Sequence, residues 1–481
     1  MRPARYYAVS IWLALSWAAA SDTVHGIQKV RISFSSPSCV GMPIWLIVES
    51  DKANKIHYPA STIPTDFGCN QVEVQHNGTK LIRVQLPPSG GGHSGPACGW
   101  VSAPGSPESR LPLHLQYPIT EPGIYLVRYT RFEYLHGQNA VTEQSEWTPL
   151  KVGRPASGDV DRWLASELSS SPTSPGLIVG DSLPSLLASR TRAALHVALE
   201  ETYSSDEIVG MYAGNSLALF DPQLVRQEMI SVLTSEGPND YLAYAFSSSK
   251  DIVKPIGEQL AAVALANLNS DSPQRMLGAI HSLVLLSDPS FGLRPATLHN
   301  ISRSLDSSVD HVIGQRNEKA AWWLANYFGQ KRTAETHQLL WKIADANLAV
   351  EQSLICITWF KDASDLPKLT TVTETYDSGD PHGYRHASVA EGIGNYGRIA
   401  IPYLHRLLQN SRQTWVLTST AKELVSVDDP AGFQFFIAML KDKPFYTKEM
   451  SGWLKEMFPV LKTADDSRMI AFLEEKISND N

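Results

Sequence analysis

The sequence has no recognisable catalytic motif. Its 481 residues include no His-Glu-x-x-His pair, no Gly-x-Ser-x-Gly nucleophile turn and no phosphate-binding loop. Adjacent carboxylates at Glu200-Glu201 and Asp465-Asp466 have the chemistry of acid–base catalysts, but on amphipathic helices such charges usually form a solvated face. The sequence therefore predicts a protein that is not an enzyme and uses no cofactor, with a hydrolase of unrecognised type as an alternative.

Clustered positive charge is also missing. Residues 21–155 contain 11 Lys and Arg against 10 Asp and Glu, and residues 156–481 contain 28 against 39. A protein that binds nucleic acid needs a basic stripe to displace counterions from the phosphates. We therefore do not expect nucleic acid to be a partner.

Beyond residue 20 no apolar run is long enough to span a membrane. The first twenty residues contain Arg2 and Arg5, then an apolar run from Tyr6 to Trp17, then three alanines, which is the order of a secretory signal peptide. We expect cleavage after Ala20 and a secreted or periplasmic mature protein without a transmembrane segment. An uncleaved membrane anchor is the alternative interpretation.

Cysteine is scarce, with four in the chain. An exported protein meets an oxidising compartment, where Cys39, Cys69 and Cys98 are able to pair. Three cysteines permit one bridge, and we favour Cys69 with Cys98, with Cys39 as the rival partner. Cys356 lies alone in an apolar segment and is predicted to be a buried thiol. A metal site of His93 with Cys69 and Cys98 lacks the usual ligand spacing, so no metal is expected there.

Residues 21–155 show the period-two apolar alternation of β-strands. Asn77-Gly78 lies between two such runs and favours the positive φ angles of a type I′ hairpin turn. About seven strands in this length favour a β-sandwich domain. The runs are Val30-Ile32-Phe34, Val72-Val74, Leu81 to Leu86, Leu111-Leu113-Leu115, Ile124 to Phe132 and Glu146 to Val152.

One strand carries a family resemblance. The run Pro122-Gly123-Ile124-Tyr125-Leu126-Val127 resembles the penultimate strand of immunoglobulin-like bacterial domains. The resemblance implies that Tyr125, at the strand start, packs back on the preceding turn. A loop at 87–96, rich in Gly and Ser, is either a ligand-contacting loop or a flexible connector. If the sandwich binds carbohydrate, we expect exposed Trp100, Tyr117 or Trp147 to contact it.

After residue 155 the alternation stops, and residues 156–180 are predicted to be a linker. Helical spacing dominates residues 181–481, with prolines at predicted helix starts: Pro222, Pro273, Pro295, Pro367, Pro402 and Pro430. The segment from His386 to Asn410 has an Ala-rich helix that ends at glycine, then a helix that begins with Pro402 and carries Leu407-Leu408. It resembles a HEAT repeat, and segments starting near Leu348, Thr418 and Trp453 echo it. The resemblance implies an all-α helical-repeat solenoid.

Two groups of residues are candidates for an interaction surface of that solenoid. Trp322 and Trp323 point about 100° apart on a helix, so one of them is free to be exposed, although packing between repeats explains the pair equally well. Tyr403, His405 and Arg406 lie on the second helix of the clearest repeat. A metal site at His382 and His386, with Asp380 and Glu391, is not expected, because Pro381 and Gly383 argue against a helix there.

The sequence thus predicts a multidomain β + α protein: an amino-terminal immunoglobulin-like β-sandwich at 21–155, then a HEAT-like solenoid at 181–481. Without catalytic motifs, a repeat protein behind a secretory leader is expected to be an interaction or scaffold module that binds a protein partner. A carbohydrate-binding envelope protein that uses the sandwich, with a glycan ligand, is the first alternative. An envelope hydrolase is the second.

Overall fold

The computed structural model describes residues 27–49, 70–84, 110–135, 138–169, 175, 178–375, 384–442, 452, 454–462 and 464–479. A β region is followed by a long helical part, which confirms the predicted β + α order. The chain divides into two compact units, residues 1–256 and 257–481. The first unit therefore extends about 100 residues beyond the sandwich boundary that the sequence suggested at residue 155.

Eight strands are present in the described part of the first unit. They are β1 (Gln28–Phe34), β2 (Trp45–Glu49), β3 (Asn70–His76), β4 (Thr79–Lys80), β5 (Arg110–Pro112), β6 (Gly123–Leu135), β7 (Gln138–Ser145) and β8 (Thr148–Val152). Their order is β4-β3-β6-β7-β1-β2-β5, and β8 pairs with β6. Neighbouring strands are antiparallel except β1 and β7, which are parallel.

The long strand β6 shows why this region folds as a sheet. Tyr125, Val127 and Tyr129 are buried, whereas Ile124 and Leu126 on either side of Tyr125 are exposed, so the predicted alternation is confirmed. The Tyr125 hydroxyl donates a hydrogen bond to the carbonyl oxygen of Glu121 at 2.7 Å. The expectation that Tyr125 packs back on the preceding turn is therefore also confirmed.

The hairpin between β3 and β4 is confirmed too, since Asn77 and Gly78 both have positive φ angles, 52° and 76°. The strand predicted at Leu81 to Leu86 is not formed over residues 81–84, and the hairpin partner is the two-residue strand β4 instead, which ends at Lys80. There the backbone leaves the sheet edge, and the Val84 amide donates to the carbonyl oxygen of Gln116.

A second correction concerns the predicted strand at Leu111-Leu113-Leu115. Strand β5 ends at Pro112, and residues 113–116 form one helical turn, α1 (Leu113–Gln116), whose four side chains are all buried. His114 explains the burial. Its Nδ1 accepts from the Ile44 amide at 3.0 Å, so Nε2 carries the proton and donates to the Pro184 carbonyl at 2.8 Å. This residue therefore joins the sheet to a helix 70 residues later.

Burial lowers the pKa of His114 from its ordinary 6.5 to about 4. Between these two pH values His114 is protonated in the unfolded chain but not in the folded one. The stability present above pH 6.5 is therefore lost as the pH falls toward 4. We expect the first unit to lose about 2 kcal/mol between pH 7.5 and pH 5 through this group. Urea unfolding at the two pH values, in wild type and His114→Gln, measures it. A variant with the same pH dependence as wild type would contradict the assignment.

The other helices of the first unit follow the sheet in the chain. They are α2 (Asp159–Ser169), α3 (Leu183–Leu187), α4 (Arg192–Glu201), α5 (Glu207–Ser216), α6 (Pro222–Glu236), α7 (Asp240–Ser248) and α8 (Lys250–Val253). Helix α2 lies inside the segment predicted to be a linker. Arg110 of β5 also pairs with Asp181, so polar contacts at two places tie the sheet to the first helices.

The second unit is helical throughout its described part. Its helices are α9 (Gly257–Asn267), α10 (Pro273–Leu286), α11 (Pro295–Gly314), α12 (Glu318–Lys331), α13 (Ala334–Asp345), α14 (Val350–Thr358), α15 (Leu366–Thr375), α16 (Tyr384–Gly394), α17 (Ile401–Asn410), α18 (Thr414–Ser426), α19 (Pro430–Asp442) and α20 (Asp466–Asn479). Every proline predicted to begin a helix is the first or second residue of one.

Alternate helices of this unit pack against one another. Helices α10, α12, α14, α16 and α18 contact in succession and form what we call the first layer. Helix α9 contacts α11, α11 contacts α13, α15 contacts α17, and α19 contacts α20; these helices form the second layer. Most of these helices also contact their neighbours in the chain, as α9 does with α10, α13 with α14, and α17 with α18.

Several turns between consecutive helices of this unit share one local backbone pattern. A residue with a positive φ angle ends one helix, and the next residue caps the following helix with its side chain. The pairs are Arg316-Asn317, Arg332-Thr333, Lys361-Asp362 and Asp428-Asp429. The side-chain bonds of these caps fix the positions of Asp362 and Asp429.

Among the described residues no helix is both long and apolar enough to cross a membrane. The predicted signal peptide at 1–20 lies outside the described residues, as do Cys69, Cys98, His93 and Trp100. The favoured Cys69–Cys98 bridge therefore stays a prediction. Cys39 is a free thiol, and Cys356 is free and buried as predicted. Burial raises the pKa of the Cys356 thiol to about 12.

Candidate functional site

The tryptophan pair lies on α12 in the first layer. Trp322 is 39% exposed, whereas the ring of Trp323 stacks on His281 of α10 with the ring centroids 3.6 Å apart. The two indoles meet edge to face at 4.8 Å. Trp323 packs between successive first-layer helices, as the packing interpretation predicts. Trp322 is open to solvent, as the interaction-surface interpretation predicts.

Polar side chains adjoin the exposed indole. The Asn326 amide donates to the Trp322 carbonyl at 2.8 Å, and Gln352 of α14 donates to the Asn326 side-chain oxygen at 3.0 Å. These bonds link α12 and α14 beside the tryptophan. An exposed aromatic on a rigid support with a polar border has the character of a binding hot spot.

The second predicted group lies on α17, in the second layer. His405 Nε2 is 2.8 Å from Asp429 Oδ1, and Arg406 pairs with Glu374 of α15 at 2.5 Å. Tyr403 is half-buried. These residues and the tryptophan pair are therefore not brought together. His405 and Arg406 tie α17 to the helices before and after it, a role that a linear sequence does not reveal.

Arg406 belongs to a series of ion pairs along the second layer. Each pair joins a cation to an acid on an adjacent helix: Arg294–Glu258, Lys342–Asp310, Lys368–Asp345, Arg406–Glu374 and Lys441–Glu474. Solvent screens most of these pairs, so each adds little to stability. Their regular placement fixes the register of successive helices more than it stabilises the fold.

A cluster that the sequence analysis missed lies between α13 and α15. Asp365 is only 5% exposed, and it accepts from Trp341 Nε1 at 2.9 Å and contacts His337 Nε2 at 2.8 Å. Asp362, three residues earlier, is exposed and caps the 3-10 turn through the amide and hydroxyl of Ser364. One donor atom from each of His337, Asp362 and Asp365 lies within 4.8 Å of the other two.

Aromatic side chains border this cluster. The Phe360 and His337 ring centroids are 4.8 Å apart, and the hydroxyl of Tyr396 is buried without a hydrogen-bond partner among the described residues. Burial, with the nearby charges of Asp365 and Asp362, raises the pKa of Tyr396. The signal in the sequence was Asp362-Ala363-Ser364-Asp365, a capping pattern, but nothing local indicates that His337 meets it.

Gly392-Ile393-Gly394-Asn395-Tyr396-Gly397 has the spacing of a dinucleotide-binding turn, which requires a strand before the glycines and a helix after them. Here the glycines end helix α16. A Cβ added at Gly392 would lie 2.4 Å from the Thr358 hydroxyl oxygen, so this glycine permits close helix packing. The motif therefore does not indicate a nucleotide site.

Two of the three aromatic residues proposed for carbohydrate, Tyr117 and Trp147, lie in the described part of the chain. Tyr117 is 3% exposed and its hydroxyl donates to the Val72 carbonyl, so it is not the exposed residue that the sequence suggested. Trp147 lies under the Arg128 guanidinium, 4.8 Å from the ring centroid. An open depression of about 410 Å³ lies beside Glu73, Lys80 and Arg83, and Tyr117 contributes the aromatic part of its lining.

The four residues considered as a metal site in the sequence are not grouped as ligands among the described residues. His386 is fully buried in α16, and Glu391 pairs with Lys422. His382 and Asp380 lie outside the described residues. No protein-family model matches the chain, and no match was found among curated proteins.

Proposed function

We propose that the protein is an exported, non-catalytic scaffold that binds a protein partner through the first layer of its second unit, centred on Trp322. The single observation that carries the proposal is the exposed indole on a helix held on both sides by neighbouring first-layer helices. Export rests on the leader-like first twenty residues, and the absence of catalytic motifs supports a non-catalytic role.

The architecture inferred for the second unit is an α-solenoid of HEAT-like pairs. Contacts between alternate helices, the repeated capping turns and the second-layer ion pairs support it, because each recurs from one pair to the next. For the β region we infer an immunoglobulin-like sandwich. The bond from the Tyr125 hydroxyl to the Glu121 carbonyl, four residues upstream at a strand start, supports that inference.

Trp322 is suited to contact because its support is rigid. Trp323 on His281 and the link from Gln352 to Asn326 hold the helix surface around it, so little conformational entropy is lost when a partner covers the indole. Tryptophan in such a place commonly supplies a large share of binding free energy. A protein surface with an apolar pocket rimmed by polar groups is the partner chemistry that fits.

Photo-crosslinking in the producing cells tests the proposal. A benzophenone amino acid at position 322 is expected to give one dominant covalent adduct with another protein. The same residue at position 399 is the matched control, because Ile399 is 56% exposed in the same unit but lies outside the first layer. Equal labelling at 322 and 399, or no adduct at 322, would overturn the proposal. Amino-terminal sequencing of the purified protein tests export separately, because cleavage after Ala20 makes Ser21 the first residue.

A further inference from the structure

We propose that His337, Asp362 and Asp365 bind one divalent transition-metal ion, for which Zn²⁺ is the reference, at the junction of α13 and α15. The three residues come from two segments of the chain, and a donor atom of each lies within 4.8 Å of the other two. The site is independent of the proposed partner surface, so either proposal can fail without the other.

The spacing of the donors suits a small cation. Metal–ligand bonds of about 2.1 Å in a tetrahedral site place the ligand atoms about 3.4 Å apart. His337 Nε2 and Asp365 Oδ2 are 2.8 Å apart, a hydrogen-bond distance, so a bound ion displaces the Nε2 proton and holds the two atoms about 0.6 Å further apart. The Asp362 carboxylate is exposed, so it gives the ion a route from solvent.

Neighbouring groups orient two of the ligands. Trp341 Nε1 donates to Asp365 Oδ1, which leaves the other oxygen toward His337. Both Ser364 bonds reach Asp362 Oδ1, so Asp362 Oδ2 is the oxygen available to an ion. Such outer hydrogen bonds fix ligand geometry in metal sites.

A neighbouring polar group also lies near the two aspartates. The Tyr396 hydroxyl is buried, has no hydrogen-bond partner among the described residues, and is close enough to both aspartates for their charges to affect it. A buried hydroxyl of this kind is costly unless something pairs with it. Water on a bound ion is one such partner. One imidazole with two carboxylates suits Zn²⁺ or Mn²⁺ better than Ca²⁺ or Cu⁺.

The chain contains its own control for this site. His405 and Asp429 stand 2.8 Å apart in the second layer, as His337 and Asp365 do, but within the described part of the chain no third ligand joins them. A simple structural His–Asp contact would behave alike at the two places. A metal site distinguishes them.

The experiment uses the full-length chain, stripped with a chelator and dialysed against buffered Zn²⁺, with bound metal measured by elemental analysis. Asp362→Asn keeps a capping side chain but removes the ligand charge, and His337→Gln removes the imidazole. Both are expected to lose one bound equivalent, or at least about a hundredfold in affinity, whereas His405→Gln keeps wild-type binding.

Circular dichroism establishes that the variants are folded, and a Zn²⁺-dependent rise in melting temperature for wild type and His405→Gln, but not for Asp362→Asn, is the second readout. Wild type and Asp362→Asn with the same number of equivalents and the same affinity would overturn the proposal. So would the absence of binding to wild type at 100 µM Zn²⁺, about the weak limit for a specific site.

Discussion

Gly432→Ala is expected to destabilise the carboxyl-terminal helices by about 3 kcal/mol, the upper part of the range for overpacking. Gly432 lies in α19, where that helix crosses α18. A Cβ at this position would lie 2.7 Å from the Ala421 carbonyl oxygen and 2.7 Å from the Val425 amide nitrogen. Both are backbone atoms and have no rotamer that relieves the clash, so the helices must separate.

Gly314→Ala is the matched control, because no atom of the described residues lies within 4 Å of a Cβ added there at the end of α11. That variant is expected to be neutral or up to about 1 kcal/mol more stable, since alanine favours the helix. Urea unfolding followed by circular dichroism at 222 nm compares the two. Equal stabilities for the two variants would mean that α18 and α19 do not pack as described.

Asp365→Ala is expected to cost about 3 kcal/mol, measured in the presence of a chelator so that metal plays no part. The buried carboxylate accepts a hydrogen bond from Trp341 Nε1 and contacts His337 Nε2. Its removal deprives both nitrogens on α13 of this partner. The free energy of unfolding from urea titration is the measurement.

Asp365→Asn is the control for this second prediction. Asparagine keeps an oxygen for Trp341 and a similar volume, so we expect a loss of only about 1 kcal/mol. If Asp365→Ala unfolds at the wild-type urea concentration, the carboxylate does not connect α13 with α15. The position of His337 would then need another cause.

Local sequence signals predicted much of the fold. The alternation along β6 indicated a half-buried strand, Asn77-Gly78 indicated the turn, and prolines marked helix starts. Each of these features depends on a few consecutive residues and on backbone preferences that hold in any context. These features can therefore be predicted from a single sequence.

Features that depend on contacts between residues distant in the sequence were not predicted. Leu113 and Leu115 alternate like strand residues, yet His114 bonds to both Ile44 and Pro184, and the helical turn allows both contacts. His337 has no local signal at all, because its partner Asp365 is 28 residues away. Interactions of this kind depend on how helices pack, which periodicity alone does not specify.

The candidate surface was predicted in part. Adjacent tryptophans suggested that one is exposed, and the structure identifies Trp322 as that residue because His281 covers Trp323. His405 and Arg406 resembled free polar groups on a second helix. Their partners, Asp429 and Glu374, lie on neighbouring pairs and are visible only after the helices are stacked.

The most direct test of the central claim is the affinity of the crosslinked partner for purified Trp322→Ala and Ile399→Ala, measured by calorimetry against wild type. We predict at least about a thirtyfold loss for Trp322→Ala, equivalent to a hot-spot contribution of about 2 kcal/mol, and less than a twofold change for Ile399→Ala. Equal affinities of wild type and Trp322→Ala would contradict a binding surface centred on the first layer.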